Sequence, residues 1–286
     1  MSPIPWSHCD HPPPAAGASL SAVDETPEYV LRNRNQWDQT AAQWVQGGQA
    51  RWAGEPVWGV WELPEAQLHL LPDDMTSMAA IELGCGTGYV SAWMARRGAT
   101  VVGIDNSEEQ LKTARRLAAE HKVPLELVHG NAEVLPYPEE TFDFAISEYG
   151  VAIWADPTVW VPEAARVLKP GGRLVVLGHH PMVLLTSDFN TPEPAGHTLL
   201  APYFDMFRVD WRDGEESGTE FNMPVSQWFQ LFADSGFDVT GYEELRAPRN
   251  ARQNPFGLTA EWAHDFPSEQ VWKLRKAGPC GASTPV

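Results

Sequence analysis

Short apolar segments alternate with helix-like patterns through the middle of the chain. Residues 79–83 and 100–104 are continuous apolar runs, whereas residues 89–97 carry apolar side chains at helical spacing and end before Gly98. The alternation continues with apolar runs at 125–128, 142–147 and 173–177 and helical patterns at 107–120 and 157–168. Strands that are apolar throughout and alternate with helices predict a parallel sheet covered on both faces. The middle of the chain therefore predicts an α/β fold.

The segments on either side of this core predict additional layers. Residues 1–27 are rich in proline, alanine and serine and predict a flexible tail. Residues 28–74 predict a helical and aromatic layer, with its helix at 28–46. After the core at 75–180, aromatic and turn residues mix at 181–224, which predicts an irregular insertion that acts as a lid or a binding element. Residues 225–286 predict the completion of the sheet, with a helix at 225–233 and strands near 238–242 and 271–274.

Three glycines follow the first apolar run of the core. Gly84, Gly86 and Gly88 allow a sharp turn and leave space for a ligand against the backbone, and the next helix begins there with free N–H groups. Asp105 ends the following strand, 21 positions after Gly84, so its carboxylate reaches the same crevice. This spacing predicts a site in which Asp105 accepts hydrogen bonds from both hydroxyls of a ribose.

Two neighbouring residues indicate which ligand this turn binds. A dinucleotide turn requires glycine at position 89, and this chain has Tyr89. Glu82 lies two residues before Gly84, where a carboxylate would oppose a pyrophosphate by about 4 kcal/mol at intermediate dielectric. The same carboxylate suits S-adenosylmethionine, which carries an ammonium and a sulfonium and has no phosphate. The residues therefore favour S-adenosylmethionine over the dinucleotide of a nicotinamide oxidoreductase.

Residues 75–180 resemble the core of class I S-adenosylmethionine-dependent methyltransferases, in the type 11 or ubiquinone-biosynthesis-like branch. Residues 81–89 resemble the first motif of that family, and residues 130–137 (GNAEVLPY) resemble its G-D-A-E-x-L-P-F segment. Further similarities are the F-D-x-V strand start at 142–145, the L-K-P-G-G-x-L turn at 168–177 and the late helix-turn-strand at 225–239. The resemblance implies a Rossmann-like, doubly wound sheet of seven strands in the order 3-2-1-4-5-7-6, with the last strand antiparallel.

The resemblance also implies which residues hold the cofactor. Asn131 stands where the family has aspartate, so an adenine contact through its side chain would have altered geometry, and a plain turn residue is the alternative. Trp44 on the N-terminal helix is expected to cover the methionine end by a cation–π contact, with Trp37 and Trp52 as alternatives. The expected cofactor residues are Trp44, Glu82, Gly84, Cys85, Gly86, Gly88, Asp105, Asn106, Asn131, Ala132, Glu133 and Glu148.

Candidate catalytic residues follow the fourth and fifth strands, because ligands of such sheets bind beyond the carboxyl ends of the strands. His179 is the leading candidate for a general base, since an unperturbed imidazole titrates near neutral pH. Glu148 and Tyr149 are the other catalytic candidates. The alternative for His179 and its neighbour His180 is a hydrogen bond to local backbone. Further residues that could face the acceptor are Trp154, His197, Tyr203 and Asp205.

Charge and composition narrow the partners and the compartment. The formal net charge of −18 disfavours a nucleic-acid partner. No segment has the length and hydropathy of a membrane span, and the N-terminus does not resemble a secretory signal. Cys9, Cys85 and Cys280 lie far apart and predict no disulfide framework, which favours the cytoplasm. His8, Cys9, Asp10 and His11 have no second ligand pair, so no metal site is expected.

The sequence thus predicts transfer of a methyl group from S-adenosylmethionine to an oxygen or nitrogen atom by in-line displacement. The abundance of aromatic residues predicts a small apolar or aromatic acceptor, and oxygen or nitrogen is favoured by analogy with the family. A non-catalytic module that binds S-adenosylmethionine as a regulator is an open alternative. So is a methyltransferase that acts on a protein, or less readily on RNA. The oligomeric state, monomer or homodimer, also stays open.

Overall fold

The computed structural model describes residues 26–188, 191, 193–214, 216–251 and 256–278. Residues 1–25 of the predicted tail lie outside the described residues, and so do the group at 8–11 and Cys280. None of the helices in the described ranges is long and apolar enough to cross a membrane.

A long helix and a small sheet form the N-terminal layer. Helix α1 (Glu28–Ala53) continues beyond its predicted end at residue 46. The glycine at position 48 does not end it, because α1 packs there against Thr87, and a Cβ on Gly48 would lie 2.6 Å from the Thr87 hydroxyl oxygen. Strands β1 (Val57–Trp58) and β2 (Leu63–Pro64) then pair antiparallel, and helix α2 (Glu65–Leu68) follows them.

Parallel strands and helices alternate through the core, as predicted. The strands are β3 (Ala79–Leu83), β4 (Thr100–Asp105), β5 (Glu126–His129), β6 (Phe142–Glu148) and β7 (Leu168–His179). The helices are α3 (Tyr89–Arg96), α4 (Glu108–His121), α5 (Val151–Trp154) and α6 (Pro157–Val167). Strand β7 begins five residues before the predicted strand, because Leu168 already pairs with Phe142.

The segment after β7 is more regular than predicted. It contains helix α7 (Pro181–Thr186) and a hairpin of β8 (Arg208–Asp213) and β9 (Glu216–Phe221), so the prediction of an irregular insertion is wrong for these residues. Both strands carry polar side chains at many positions, and their regularity comes from pairing with each other and packing against α1, which their own pattern does not reveal.

The last elements complete the central sheet. Helix α8 (Val225–Asp234), strand β10 (Phe237–Leu245), helix α9 (Ala260–Asp265) and strand β11 (Glu269–Lys276) follow one another. The strand order is β10-β11-β7-β6-β3-β4-β5, and β11 is antiparallel to both of its neighbours. This order is the predicted 3-2-1-4-5-7-6 arrangement, so the predicted Rossmann-like fold class is confirmed.

Buried apolar clusters cover both faces of the sheet. Trp58 and Trp93 belong to the cluster beside α3, and Trp160 and Trp272 belong to the cluster beside α6 and α8. Most of the described tryptophans are buried, where they join the layers of the fold. Four tryptophans are only half-buried and lie near the carboxyl ends of the strands: Trp37, Trp44, Trp154 and Trp211.

Candidate cofactor and acceptor site

The glycine turn between β3 and α3 has left-handed backbone at each of its three glycines. A Cβ on Gly84 (φ +75°) would lie 2.6 Å from Gly150 Cα, and a Cβ on Gly88 (φ +76°) would lie 3.2 Å from the Ala114 methyl group. Gly84 and Gly88 therefore allow protein segments to pack closely. Gly86 (φ +50°) differs, because a Cβ there would enter open space. The surface at Gly86 is the part of the turn that a ligand can approach.

Asp105 joins the end of β4 to this turn. Its two carboxylate oxygens accept hydrogen bonds from the N–H groups of Gly86, at 2.7 Å, and Ser107, at 2.8 Å. Burial raises the pKa of Asp105, and these two hydrogen bonds oppose the increase. Each oxygen has a further lone pair, so the carboxylate can also accept bonds from a ribose.

Glu82 is enclosed behind the turn. The carboxylate is 2% exposed, and one of its oxygens accepts hydrogen bonds from the N–H group, at 2.7 Å, and the hydroxyl of Ser91. Burial raises the pKa of Glu82 to about 8. In this position Glu82 anchors α3 to β3. Because the carboxyl group is enclosed, it acts on a ligand through its charge and not through a direct hydrogen bond.

Two further residues of the predicted cofactor set point into the protein. The Cys85 thiol is buried against Gly103, and the choice of Cys85 as a cofactor residue stays a prediction. The Asn106 side chain accepts a hydrogen bond from Arg34 Nε at 3.0 Å and donates one to the Val30 carbonyl at 2.9 Å. Asn106 therefore fastens the first turns of α1 to the end of β4.

The segment predicted to hold adenine is fixed by hydrogen bonds of its own. The Asn131 side chain accepts from the Glu133 N–H at 3.0 Å and donates to the Glu133 carboxylate at 3.2 Å. Glu133 also accepts from the Asp156 N–H and the Tyr29 hydroxyl. Beside them Ala132 is buried among apolar side chains. The Asn131 side chain thus makes the local hydrogen bonds of a turn residue, and its contact with adenine stays a prediction.

Helix α1 lies across the crevice between the glycine turn and the end of β4. Its beginning is held at Asn106, and near its end the indole N–H of Trp52 donates to the Thr87 carbonyl at 2.8 Å. Trp52 is fully buried and supports the turn, which removes it as an alternative for the cofactor cover. Trp44 and Trp37 lie between these two attachments, with their ring centroids 5.4 Å apart.

These two indoles begin a row that continues to the hairpin. The ring centroids of Trp37 and Trp154 are 5.1 Å apart, and those of Trp154 and Trp211 are 6.4 Å apart. We call Trp44, Trp37, Trp154 and Trp211 the tryptophan row. It joins α1, the end of α5 and β8, so it lies beside the predicted acceptor side of the crevice. The prediction of Trp44 as the cofactor cover stays open, with Trp37 as its neighbour.

Two carboxyl–tyrosine pairs lie at the ends of the central strands. Glu148, at the end of β6, accepts hydrogen bonds from the Tyr89 hydroxyl and the Gly59 N–H. Tyr149 follows with a φ of +58°, which is strained for a residue other than glycine, and its hydroxyl donates to Glu269 Oε1 at 2.6 Å. Glu148 and Tyr149, both predicted from the sequence, thus each belong to one of these pairs, and their catalytic role stays a prediction.

Glu269 is a residue that sequence reasoning missed. It begins β11 and pairs with His179, and its Oε1 also accepts from the Val60 N–H at 2.9 Å. Its other carboxyl oxygen is buried without a partner among the described residues, and burial raises the pKa of Glu269 to about 7. No motif marks this position, because only the antiparallel return of β11 brings it to the end of β7.

His179 lies beside Tyr149, with the two ring centroids 5.0 Å apart. Both of its ring nitrogens are buried and have no hydrogen-bond partner within the described residues. Burial lowers the pKa of His179 to about 4, so the imidazole is neutral at pH 7 and a weak base. His179 remains a prediction for the general base. The pKa of Glu269, about 7, is better suited to that role at neutral pH than the pKa of His179.

The remaining acceptor candidates have other roles or positions. His180 caps α7 by accepting the Met182 N–H at 3.1 Å, in agreement with the alternative of local backbone bonding. The Tyr203 hydroxyl accepts from the Val225 N–H at 2.9 Å. His197 and Asp205 are exposed, and His197 packs against Phe266. These residues give the crevice no acid or base.

The crevice is therefore acidic, and its carboxyl groups suit a ligand that carries a positively charged sulfonium. Glu82, Asp105 and Glu148 lie close enough that the charges of the last two raise the pKa of the first. The charge of Glu148 likewise raises the pKa of Glu269, while nearby Arg51 lowers it. A cationic ligand would relieve this repulsion, and a pyrophosphate would increase it. The fold, turn and acids define a Rossmann-like protein with a site for a cationic nucleoside.

Comparison with known proteins identifies the family. Residues 81–176 match the family model described as a methyltransferase domain. A demethylmenaquinone methyltransferase of Listeria welshimeri is 32% identical over 179 residues, which cover 57% of this chain and 71% of the relative. Another from Clavibacter sepedonicus is 41% identical over 97 residues, covering 34% of this chain and 39% of the relative.

A solved structure supports the fold. The S-adenosylmethionine dependent methyltransferase from Mesorhizobium loti has a TM-score of 0.59 and 22% identity, over 73% of this chain and 95% of that one. This chain spans less than half the length of several curated relatives that it matches. The Listeria welshimeri relative is covered over most of its length, and on that basis the chain belongs to the class I S-adenosylmethionine-dependent methyltransferases, in the ubiquinone- and menaquinone-like branch. The predicted family and cofactor are thus confirmed.

Proposed function

We propose that this protein transfers the methyl group of S-adenosylmethionine to an oxygen or nitrogen atom of a small apolar or aromatic molecule. The observation that carries this proposal is the open surface at Gly86 beside Asp105, inside a crevice rich in carboxylates. The tryptophan row adjoins this crevice and supplies aromatic faces for a planar acceptor.

The cofactor supplies an activated methyl group, so the chain has to position the acceptor and exclude water. Helix α1 performs the exclusion, because it closes the crevice from Asn106 to Thr87. For an acceptor that carries a proton, Glu269 is our candidate for the general base, because it lies at the end of the central strands and burial raises its pKa to about 7. Tyr149 connects Glu269 to the end of β6 and holds one carboxylate oxygen in place.

The curated relatives support a small acceptor, since several are named demethylmenaquinone methyltransferases. A quinone-like ring fits between indole faces in the same way as other planar aromatic molecules. The large negative charge of the chain agrees with a small acceptor and opposes RNA.

The test uses the full chain and S-adenosylmethionine whose methyl group carries deuterium, incubated with a cell extract that contains both small metabolites and proteins. We expect one extract component to gain the labelled methyl group while S-adenosylhomocysteine forms in equal amount. The control is the Asp105→Asn variant, which should form little product. Binding of S-adenosylmethionine without product would favour the regulatory module. Label on a protein of the mixture would favour a protein acceptor.

A further inference from the structure

The inward face of the β8–β9 hairpin carries a buried carboxyl group that the proposed reaction does not use. Glu220 is 7% exposed, and it pairs across the hairpin with Val209. Gly218 pairs with Trp211 in the same hairpin. Cross-strand partners and residues two apart share a face of a hairpin, so Glu220 and Trp211 lie on the same face.

Trp211 is pressed onto the backbone of β9 beside Glu220. A Cβ on Gly218 would lie 2.6 Å from the Trp211 ring, so only glycine allows the indole to lie there. Burial raises the pKa of Glu220, and the indole N–H of Trp211 opposes this increase. This N–H lacks the geometry of a complete hydrogen bond within the described residues. Glycine inside a strand often marks such a close approach, which here fixes an indole next to a carboxyl group.

Glu220 has no cationic partner within the described residues. The two arginines closest along the hairpin and α1, Arg208 and Arg32, both pair with Asp210, which lies on the opposite face. Burial raises the pKa of Glu220 to about 7, and no neighbouring positive charge opposes this increase. A buried carboxylate is costly without a partner, so a cation supplied by a ligand would stabilise it.

The surroundings of Glu220 have the composition of a cation-binding site. Trp211 continues into Trp154 and Trp37 of the tryptophan row, which adjoins the crevice. Asn33 ties these parts together, because its side chain donates to the carbonyls of Trp154 and Thr219. Indole faces attract organic cations, and a carboxylate beside them adds a charge-assisted hydrogen bond.

We propose that Glu220, Trp211 and Trp154 bind a protonated amine carried by the methyl acceptor. This inference rests on the proposed function and narrows its substrate class from small aromatic molecules to aromatic or apolar amines. The ammonium would contact the Glu220 carboxylate, and the apolar body would lie against the indoles.

Isothermal titration of the full chain, saturated with S-adenosylhomocysteine, tests the proposal with two probes of similar shape. One is 2-phenylethylamine, which is cationic at neutral pH, and the other is 2-phenylethanol, which is neutral. We expect the amine to bind at least about tenfold more tightly than the alcohol. The Glu220→Gln variant should lose this preference without a change in affinity for S-adenosylhomocysteine. The matched control is Glu139→Gln, which makes the same change at an exposed position and should keep the preference.

Equal binding of the two probes, no binding of the amine, or an amine preference that survives Glu220→Gln would overturn the proposal. Displacement of S-adenosylhomocysteine by the amine would also overturn it, since the amine would then occupy the cofactor site. Failure to bind S-adenosylhomocysteine at all would instead contradict the proposed function.

The unmodified chain gives a second test that does not depend on how Glu220→Gln folds. Glu220 loses its charge as the pH falls through about 7, whereas 2-phenylethylamine stays protonated. His179, with its pKa lowered to about 4, stays neutral over the same range, and the ion pairs of Arg32 and Arg208 with Asp210 persist. The amine preference should therefore fall between pH 8 and pH 5.5, and a preference independent of pH would contradict the role of Glu220.

Discussion

At the residue scale, the Asp105 carboxylate stabilises the glycine turn and is the group expected to bind the ribose. It accepts hydrogen bonds from the N–H groups of Gly86 and Ser107, which shapes the turn, and we expect its remaining lone pairs to accept from a ribose. Complete removal of the side chain would disturb both the turn and the ribose contact, whereas asparagine keeps an acceptor oxygen and removes the charge. Asp105→Asn is therefore the sharper substitution.

We predict that Asp105→Asn weakens binding of S-adenosylmethionine by about 1–3 kcal/mol, through loss of charge-assisted bonds to the ribose. Isothermal titration measures the affinity, and thermal unfolding without ligand is the control for the fold. Unchanged affinity would remove Asp105 from the ribose site.

A matched pair of glycines separates backbone strain from ligand contact. Gly86 and Gly171 both have positive φ, at +50° and +80°, and a Cβ on either residue would meet open space. Gly171 lies at the opposite end of the sheet, near the start of β7. We predict that Gly86→Ala and Gly171→Ala each cost about 1–2 kcal/mol of stability, because alanine is strained in this conformation.

Only Gly86→Ala should also weaken S-adenosylmethionine binding, because its methyl group would enter the ligand surface. Urea unfolding and ligand titration of both variants provide the comparison. Equal loss of affinity in the two variants would show that strain alone is responsible.

At the scale of elements, one buried side chain joins α1 to the hairpin. Asn33 is 2% exposed, donates to the carbonyls of Trp154 and Thr219, and accepts the Thr219 N–H at 2.8 Å. An apolar replacement leaves these backbone groups without partners, which is costly in a buried position. The contact therefore connects the cover of the crevice to the segment that carries Glu220.

We predict that Asn33→Ala lowers the free energy of unfolding by about 2–4 kcal/mol, since buried polar groups lose their partners. The control is Gln39→Ala on the exposed side of the same helix, which should change stability by less than about 0.5 kcal/mol. Urea unfolding of both variants measures this difference, and a similar effect of both would mean that the Asn33 bonds contribute little.

At the scale of the whole molecule, the buried acids couple stability to pH. Burial raises the pKa of Glu82 to about 8 and those of Glu220 and Glu269 to about 7, all above the ordinary glutamate value of 4.5. The folded chain thus binds these protons more tightly than the unfolded chain, and stability is lost as the pH rises through the raised pKa values. The lowered pKa of His179 makes stability increase with pH below about 6.5. The loss of stability caused by the buried acids is therefore clearest above pH 6.5.

We predict that the ligand-free protein becomes less stable between pH 6.5 and pH 8 at constant ionic strength. Urea unfolding at the two pH values measures the change. Glu82→Gln should reduce the pH dependence, because glutamine keeps an acceptor for Ser91 and cannot ionise. Glu139→Gln removes one exposed charge and should leave the pH dependence as it is. Equal or greater stability at pH 8 in the unaltered protein would contradict the role of the buried acids.

Much of the fold could be predicted from the sequence, because buried parallel strands and their helices have strong local patterns. The strand Ala79–Leu83 lies where it was predicted, and the helix predicted from residue 107 has its cap at Ser107. The hairpin was missed, because its polar strands acquire regularity only by pairing and by contact with α1. The end of α1 was missed because the helix continues to Ala53 where it packs against Thr87, a contact that the local pattern does not show.

The sequence by itself determined the family, the cofactor and the glycine turn with Asp105, because these depend on residues close together in a short motif. Only the tertiary structure decided which carboxylates share the crevice. Glu269 reaches His179 through the antiparallel return of β11, and Glu220 reaches Trp211 through the hairpin. Glu269 and His179 are distant along the chain, and Glu220 and Trp211 meet only because β8 pairs with β9. The charge and proton affinity of these carboxyl groups depend on burial, which no local pattern encodes.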